Sequence, residues 1–336
     1  TPASITGTNN VCVVLTTTLA DATTGGTWTS SNTAIATIGS GTGTMTGASA
    51  GTATITYTLP AGCNVTFPVT VNPNPPAITG TTNVCIGLTT TLFNATGGGT
   101  WTSSNTGLAT VGASSGVVTG VAAGNPTITY TLPTGCLVTT AFTVNPNPAA
   151  ITGTMSVCVG LTTTLADATS GGTWSSSNTA IGTVGAASGV VGGVSAGTTT
   201  ITYTLPTGCI ATATVTVNAN PSAITGTPVV CTGFTTTLAS SPSGGAWTSS
   251  NIAQGTVGAG TGIVGGIAVG NPVITYTLPT GCIATVVATV NQTPAAIAGT
   301  MSVCVGLTTT LTDATPGGSW SSSNPSQAVV GAGTGI

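Results

Sequence analysis

Nine cysteines and three aspartates are the residues of this chain that could do chemistry. The cysteines form two evenly spaced series, with Cys12, Cys85, Cys158, Cys231 and Cys304 in one and Cys63, Cys136, Cys209 and Cys282 in the other. Cysteines bind zinc or act as nucleophiles when histidine, lysine or further cysteines lie close to them. Because the chain has no His, Lys or Arg, disulfides are a better interpretation than a metal site or a catalytic thiol.

The three aspartates occupy one position of the period that the cysteines define. Asp21, Asp167 and Asp313 fall there, and the other two copies have Asn94 and Ser240. All three residue types form turns by bonding to nearby backbone, whereas calcium needs six to eight oxygens, usually from several carboxylates. We therefore predict a turn and no metal. With no histidine, no lysine and no pair of carboxylates, we also predict that the chain is not an enzyme and uses no cofactor.

The near-absence of charge excludes several classes of function. Only 1% of the residues are charged, and the net charge is −3. Nucleic-acid binding and attraction to anionic lipid both depend on Lys and Arg, so neither is expected. No apolar run approaches the roughly 18 residues of a membrane-spanning helix, so we predict no membrane insertion. The sequence around Thr1 lacks the pattern of a signal peptide, and we expect a mature or internal piece of a longer protein.

A repeat with the same period as the cysteine series organises the whole chain. It is marked by aromatic residues at fixed positions, namely Trp28, Trp101, Trp174, Trp247, Trp320, Tyr57, Tyr130, Tyr203 and Tyr276. We expect these residues in the core, with a sugar-binding surface as the alternative for the tryptophans. Four copies are complete and a fifth ends at Ile336. We predict modules at 1–73, 74–146, 147–219 and 220–292, followed by an incomplete module at 293–336.

Each repeat consists of short strand-like runs separated by Gly, Pro and Asn. In the first copy Ala53, Ile55 and Tyr57 alternate with threonines, which gives one apolar and one hydroxyl face. About seven such runs in one module predict two small packed sheets. The Pro-containing junctions at 71–75 and 144–148 limit hinge freedom. The predicted fold is all-β, a tandem array of β-sandwich modules forming an extended rod.

The stretch around each tryptophan resembles a known family. Trp28 to Asn32 reads Trp-Thr-Ser-Ser-Asn, followed by Ala34, Ala36 and Ile38 and by an Ala-Gly-Thr-Ala-Thr-Ile-Thr-Tyr run ending at Tyr57. The pattern is similar to the bacterial Ig-like domain of group 2, and it recurs in all complete repeats. The resemblance implies an Ig-like β-sandwich from a large bacterial surface protein, in a stalk or adhesive part. Members usually have charged loops and no cysteine pair, so no charge-mediated binding is carried over.

The Ig-like resemblance implies a disulfide within each module, because the first strand of such a sandwich can lie beside the last. The expected pairs are Cys12–Cys63, Cys85–Cys136, Cys158–Cys209 and Cys231–Cys282. Each would close a loop of about 50 residues and stabilise the module by roughly 3–4 kcal/mol. The rival pairing, Cys63–Cys85, would join neighbouring modules. Cys304 stays unpaired in this stretch, since its counterpart would fall beyond the last residue of the sequence, and we expect a longer parent array.

The uncharged threonine-rich surface suggests the function. Near-zero charge promotes association, strand edges without Lys invite pairing, and disulfides indicate an oxidising, extracellular setting. We predict a self-associating homopolymer: a fibre, sheath or cell-surface filament. The alternative is the stalk of a bacterial adhesin whose domain for a cell-surface or host ligand lies outside this stretch. Ice binding by threonine arrays and glycan-modified threonines are further alternatives.

Overall fold

Strands account for all the regular secondary structure of the computed structural model, which describes residues 1–336. None of the chain forms a helix long and apolar enough to cross a membrane. The strands of the first repeat are β1 (Asn10–Cys12), β2 (Thr16–Thr18), β3 (Thr27–Ser30), β4 (Ala36–Ile38), β5 (Thr44–Gly47), β6 (Gly51–Thr58) and β7 (Asn64–Asn72). Those of the second are β8 (Thr79–Gly80), β9 (Asn83–Cys85), β10 (Thr89–Phe93), β11 (Thr100–Ser103), β12 (Ala109–Val111), β13 (Val117–Gly120), β14 (Thr127–Thr131), β15 (Leu137–Ala141) and β16 (Thr143–Asn145).

The later repeats continue the same series. The third contains β17 (Thr152–Gly153), β18 (Ser156–Cys158), β19 (Thr162–Ala166), β20 (Thr173–Ser176), β21 (Gly182–Val184), β22 (Val190–Gly193), β23 (Gly197–Thr204) and β24 (Ile210–Asn218). The fourth contains β25 (Val229–Cys231), β26 (Thr235–Thr237), β27 (Ala246–Ser249), β28 (Gly255–Val257), β29 (Ile263–Gly266), β30 (Val273–Thr277), β31 (Ile283–Val287) and β32 (Thr289–Asn291). The fifth has only β33 (Ala298–Gly299) and β34 (Leu311–Thr312).

The chain divides into two compact units. The first comprises Thr1–Ile151, Asp167–Trp174 and Thr202–Thr212, and the second comprises Thr152–Ala166, Ser175–Ile201 and Ala213–Ile336. The third repeat thus contributes to both units, while the first two repeats lie wholly in the first unit and the fourth lies wholly in the second.

Two small sheets form the first repeat. One has the strand order β1-β7-β6-β3 and the other β2-β5-β4. All neighbours are antiparallel except β1 and β7, which run parallel with Cys12 opposite Asn72. The corresponding parallel pairs recur as β9 with β16, β18 with β24 and β25 with β32. The predicted tandem array of all-β sandwich modules is confirmed.

A proline explains why the last strand is continuous in the first repeat and divided in the second and fourth. Ala53 pairs with Val69 in the first repeat, and the equivalent positions in the second are Pro126 and Phe142. Proline has no N–H to donate to the ladder. The ladder of β14 and β15 therefore stops, and only the Phe142 N–H to Pro126 carbonyl bond, 2.9 Å long, remains there. Pro272 has the same position and effect in the fourth repeat, where the Ala288 N–H bonds to its carbonyl.

The core of each complete repeat is built around a tryptophan and a tyrosine on adjacent strands. Trp28 of β3 lies opposite Tyr57 of β6, with ring centroids 4.6 Å apart. Both are buried, at 6% and 5% exposure, together with Leu19, Met45 and Ile55. The alternation seen in the sequence matches this packing, since the apolar residues of β6 point inward and its threonines point outward. The equivalent aromatic residues of the next three repeats are buried too: Trp101, Trp174, Trp247, Tyr130, Tyr203 and Tyr276.

Trp320 differs from the other four tryptophans. It is only partly buried, so its assignment to a core is wrong for this chain. The fifth repeat has neither the tyrosine strand nor the last strand that cover the tryptophan in repeats one to four. A cavity of about 780 Å³ lies beside Trp320 and Leu311, whose equivalents pack in the core of each complete repeat.

The tyrosine of each complete repeat has a second role besides filling the core. Its hydroxyl bonds to the backbone of a loop. The hydroxyl of Tyr130 accepts a bond from the Gly99 N–H at 2.8 Å and donates one to the Thr96 carbonyl.

We expect Tyr130→Phe to destabilise the second repeat by about 1–3 kcal/mol, because both backbone groups lose their partner in a partly buried place. Amide hydrogen exchange of β11 checks this, with the exposed Thr139→Val as the matched control. Exchange of β11 equal to that of the unchanged chain would contradict the role of the hydroxyl.

Candidate functional site: the junctions between repeats

The two cysteines of one repeat lie at opposite ends of its last strand. Cys12 ends β1 opposite Asn72, the final residue of β7, whereas Cys63 immediately precedes β7. The 9 residues of β7 lie between these two ends, which is about 30 Å of extended strand. A disulfide needs Cα atoms within about 7 Å. The expected pairing Cys12–Cys63 is therefore wrong, as are its counterparts Cys85–Cys136, Cys158–Cys209 and Cys231–Cys282.

Disulfides instead join each of the first three repeats to the next one. Their S–S distances are 2.00–2.03 Å and their Cα–Cα distances 5.6–5.7 Å, and the bonded pairs are Cys12–Cys136, Cys85–Cys209 and Cys158–Cys282. The rival pairing Cys63–Cys85 is also wrong, because Cys85 is bonded to Cys209. The remaining three cysteines are free thiols, namely Cys63, Cys231 and Cys304. The first cysteine of one repeat thus bonds to the second cysteine of the following repeat.

Contact with the preceding repeat covers the turn before the last strand. Cys136 is fully buried, whereas its equivalent in the first repeat, Cys63, is exposed. Leu132 follows the same rule: it is buried at 9% exposure, while Leu59 of the first repeat is only partly buried. Each disulfide therefore lies in an apolar, water-excluding junction, where both sulfurs are protected.

A linker side chain fixes the same junction from the other side. The Asn74 side-chain amide donates to the Val13 carbonyl at 3.0 Å, just beyond the end of β7 and next to Cys12. The next two linkers repeat this contact, with Asn147 donating to Ile86 and Asn220 to Val159, both at 3.0 Å. The linker is thereby folded back onto the end of the first strand.

The fourth junction achieves the same attachment with different residues. Threonines replace both partners there, so that Thr293 stands where the other linkers have asparagine and Thr232 stands where they have Val or Ile. The Thr293 N–H donates to the Thr232 hydroxyl at 3.1 Å, and the Thr293 hydroxyl donates to the Thr232 carbonyl. This joint change is a signal within the sequence that these two positions touch, and our sequence analysis missed it.

A glycine lets the first strand approach the second sheet at this end. A Cβ on Gly47 would come within 2.8 Å of the Cys12 carbonyl oxygen and of the Val71 side chain. Any larger residue would push the cysteine-bearing strand away. The position is glycine in all four complete repeats, as Gly47, Gly120, Gly193 and Gly266.

The aspartates bond to backbone in turns. The Asp21 carboxylate accepts the Thr23 N–H at 2.7 Å, and Asp167 accepts the Thr169 N–H at the same distance. Asn94 replaces the carboxylate in the second repeat and accepts the Thr96 N–H at 3.0 Å. No three His, Cys, Asp or Glu side chains come together as a metal site would require.

A family comparison agrees with this construction. The model of the bacterial Ig-like domain (group 2) matches residues 1–67, 64–136 and 138–217, more than half of the chain. The chain belongs to the bacterial Ig-like domain (group 2) family. The resemblance inferred from Trp28 to Tyr57 is thus confirmed. A comparison with curated protein sequences gives no significant match.

Solved structures with a similar fold include a surface layer protein, an intimin fragment and a cadherin. Domains 1–6 of the surface layer protein SbsC share 17% identity at a TM-score of 0.22, over 89% of this chain and 55% of that one. A C-terminal fragment of intimin, solved with the intimin-binding domain of its receptor, shares 20% identity at 0.31, over 48% and 69%. Drosophila N-cadherin EC1–4 shares 12% identity at 0.20, over 82% and 93%. The chain therefore spans about half the length of the SbsC structure.

The disulfides and linker contacts at the junctions hold neighbouring repeats together. Disulfides form and persist in oxidising compartments. Three buried disulfides, together with membership of the bacterial Ig-like family, point to an extracellular or cell-surface protein.

Disulfide mapping tests the pairing directly. We expect the oxidised chain, digested with pepsin without reduction, to give peptides that join Cys12 to Cys136, because Cys136 holds the sulfur that lies at bonding distance from Cys12. Mass spectrometry of the digest before and after reduction is the measurement. A peptide that joins Cys12 to Cys63 would contradict the structure.

A double-mutant cycle tests the linker contact of the fourth junction. Thr232→Val with Thr293→Asn recreates the pair found in the first junction, so we expect the double variant to be as stable as the unchanged chain. Each single variant should lose stability, with a coupling of about 0.5–1 kcal/mol. Hydrogen exchange around residues 231–234 measures it, and strictly additive effects would show that the two side chains act independently.

Proposed function

We propose that this chain is part of an extracellular structural protein whose repeats self-associate into a fibre, a sheath or a cell-surface filament. The working modules in this proposal are residues 1–73, 74–146, 147–219 and 220–292, with an incomplete one at 293–336. Each junction between them carries a disulfide, a linker contact or both. Catalysis has no part in the proposal.

The observation that carries the proposal is an uncharged surface with recurring exposed apolar side chains. One large apolar residue per complete repeat lies exposed just before the second strand: Leu15, Leu88, Leu161 and Phe234, at 57–60% exposure. With no Lys or Arg on the chain and only three acidic residues, no charge repulsion keeps such surfaces apart. Periodic apolar positions on a periodic array favour contact with a second array of the same kind.

Strand edges contribute less to association than side-chain faces do. The Trp28 N–H on the outer side of edge strand β3 already donates to the Ser40 carbonyl at 2.9 Å, and the Trp101 N–H donates equally to Ala113. The outermost strand of the other sheet, β4, has only three residues. Short or occupied edges resist pairing with another chain, so we assign the association to the recurring exposed apolar side chains.

The second candidate is the stalk of a bacterial adhesin whose binding domain lies outside these residues. The covalent junctions favour it, because a stalk must hold its tip away from the surface without bending at every linker. In this candidate the chain itself binds no ligand. Regular filaments of the isolated chain would support self-association, and single separate particles would support the stalk.

Salt dependence tests the proposed mode of association. We expect filaments seen by negative-stain electron microscopy to survive about 1 M NaCl, because uncharged contacts are not screened by salt. The threefold variant Leu88→Lys, Leu161→Lys, Phe234→Lys should lose assembly. The matched control, Thr139→Lys, Thr212→Lys, Thr285→Lys, adds the same charge on another exposed face and should assemble better than that variant. Dissociation of the unchanged filaments by NaCl alone would contradict the mechanism.

A further inference from the structure

The three disulfides overlap along the chain. Each closes a loop with a sequence separation of 124 residues. Cys85 lies inside the loop closed by Cys12 and Cys136, and Cys158 lies inside the loop closed by Cys85 and Cys209. Disulfides confined to single modules would leave every linker as an uncovered backbone connection. In this arrangement each linker between Cys12 and Cys282 is bridged by a disulfide.

Two covalent routes therefore run side by side through the array. One crosses from Cys12 to Cys136, follows the short backbone segment from Cys136 to Cys158, and crosses again to Cys282. The other uses the bond from Cys85 to Cys209. This bond spans the whole backbone segment that the first route follows. No single peptide bond between Cys12 and Cys282 is the sole connection between the two halves of the chain.

We propose that the staggered disulfides make this array a covalently redundant tether, which is neither severed by one backbone cleavage nor lengthened by the unfolding of its modules. This function goes beyond the proposed structural role and does not depend on self-association. It needs only the oxidised state of the three bonds. The apolar junctions favour that state, because they bury Cys136, Cys209 and Cys282 at 0–1% exposure.

The expected effect on extension is large. In a tandem array without such bonds, a pulled module that unfolds contributes its full chain length. The reduced chain can extend over the whole backbone between Cys12 and Cys282, or about 900 Å at about 3.4 Å for each residue. The shortest covalent route of the oxidised chain contains only the backbone from Cys136 to Cys158, or about 75 Å. The ratio of the two lengths is about 12.

A single engineered cleavage tests the redundancy. The chain has no Lys or Arg, so insertion of Gly-Gly-Lys-Gly-Gly after the exposed Ala150 creates its only tryptic site, in the linker between the second and third repeats. We expect the cleaved, oxidised protein to run as one species in denaturing electrophoresis and as two fragments after reduction. The reduced sample also proves that cleavage took place. Two fragments in the oxidised sample would overturn the proposal.

Two cysteine variants identify which bond holds the cleaved chain. Cys209→Ser removes the only disulfide that spans residue 150, so the oxidised fragments should separate. Cys136→Ser removes a disulfide that lies wholly before the cut, so they should stay joined. Disulfides within modules would give separation in every case. Any result in which Cys136→Ser separates the fragments, or Cys209→Ser leaves them joined, contradicts the staggered arrangement.

Pulling single molecules from the two termini tests the resistance to lengthening. The oxidised chain should reach its final extension about 800 Å before the reduced chain does, since most of the backbone between Cys12 and Cys282 cannot extend. Equal final extensions would overturn the proposal. Both experiments use isolated chains, so failure to form filaments, which would count against the proposed function, leaves their outcome unaffected.

Discussion

The parallel pairing of the first strand with the last one determines how the array is joined. Because β1 runs in the same direction as β7, Cys12 and the outgoing linker leave the repeat at the same end. The turn before β7, with its cysteine, is left at the other end. When the next repeat follows through a short linker, its own turn meets the cysteine of the first strand. The disulfide between neighbours, the apolar contact around Cys136 and the bond from Asn74 to Val13 all follow from this one strand direction.

Sequence periodicity predicted the tandem sandwich fold and the aromatic core of the complete repeats, because these depend on alternation along single strands. The disulfide pairing depends instead on the direction in which two distant strands meet. Had β1 been antiparallel to β7, Cys12 would have lain near Cys63, and the same spacing along the chain would have suited the pair. Spacing alone does not distinguish the two cases. The joint replacement at Thr232 and Thr293 could have distinguished them, since it places the residue after the first cysteine beside the linker.

Variation between the repeats shows which features the array requires and which it tolerates. The second and fourth repeats place Pro126 and Pro272 in the strand that pairs with the last one, and the ladder there is lost. The tryptophan and tyrosine ladder beside it is kept, with ring distances of 4.7 Å in both repeats. The single bridge from Gly124 to Val144 still holds the end of the last strand next to the junction. A repeat can therefore lose hydrogen bonds in mid-strand, provided that its core pair and its junction end stay in place.

Stability in such an array belongs to neighbouring pairs of repeats more than to any one repeat. A module as short as these buries only about 60% of its unfolded surface, and none of these modules contains a disulfide of its own. A bond with a sequence separation of 124 residues stabilises the folded state by about 4–5 kcal/mol in the chain-entropy model. Because the loops overlap, the second and third bonds constrain segments that are already partly constrained, and the contributions do not simply add. The stabilisation exists only while both linked repeats are present, so the cysteines that hold the array together also make each module depend on its neighbours.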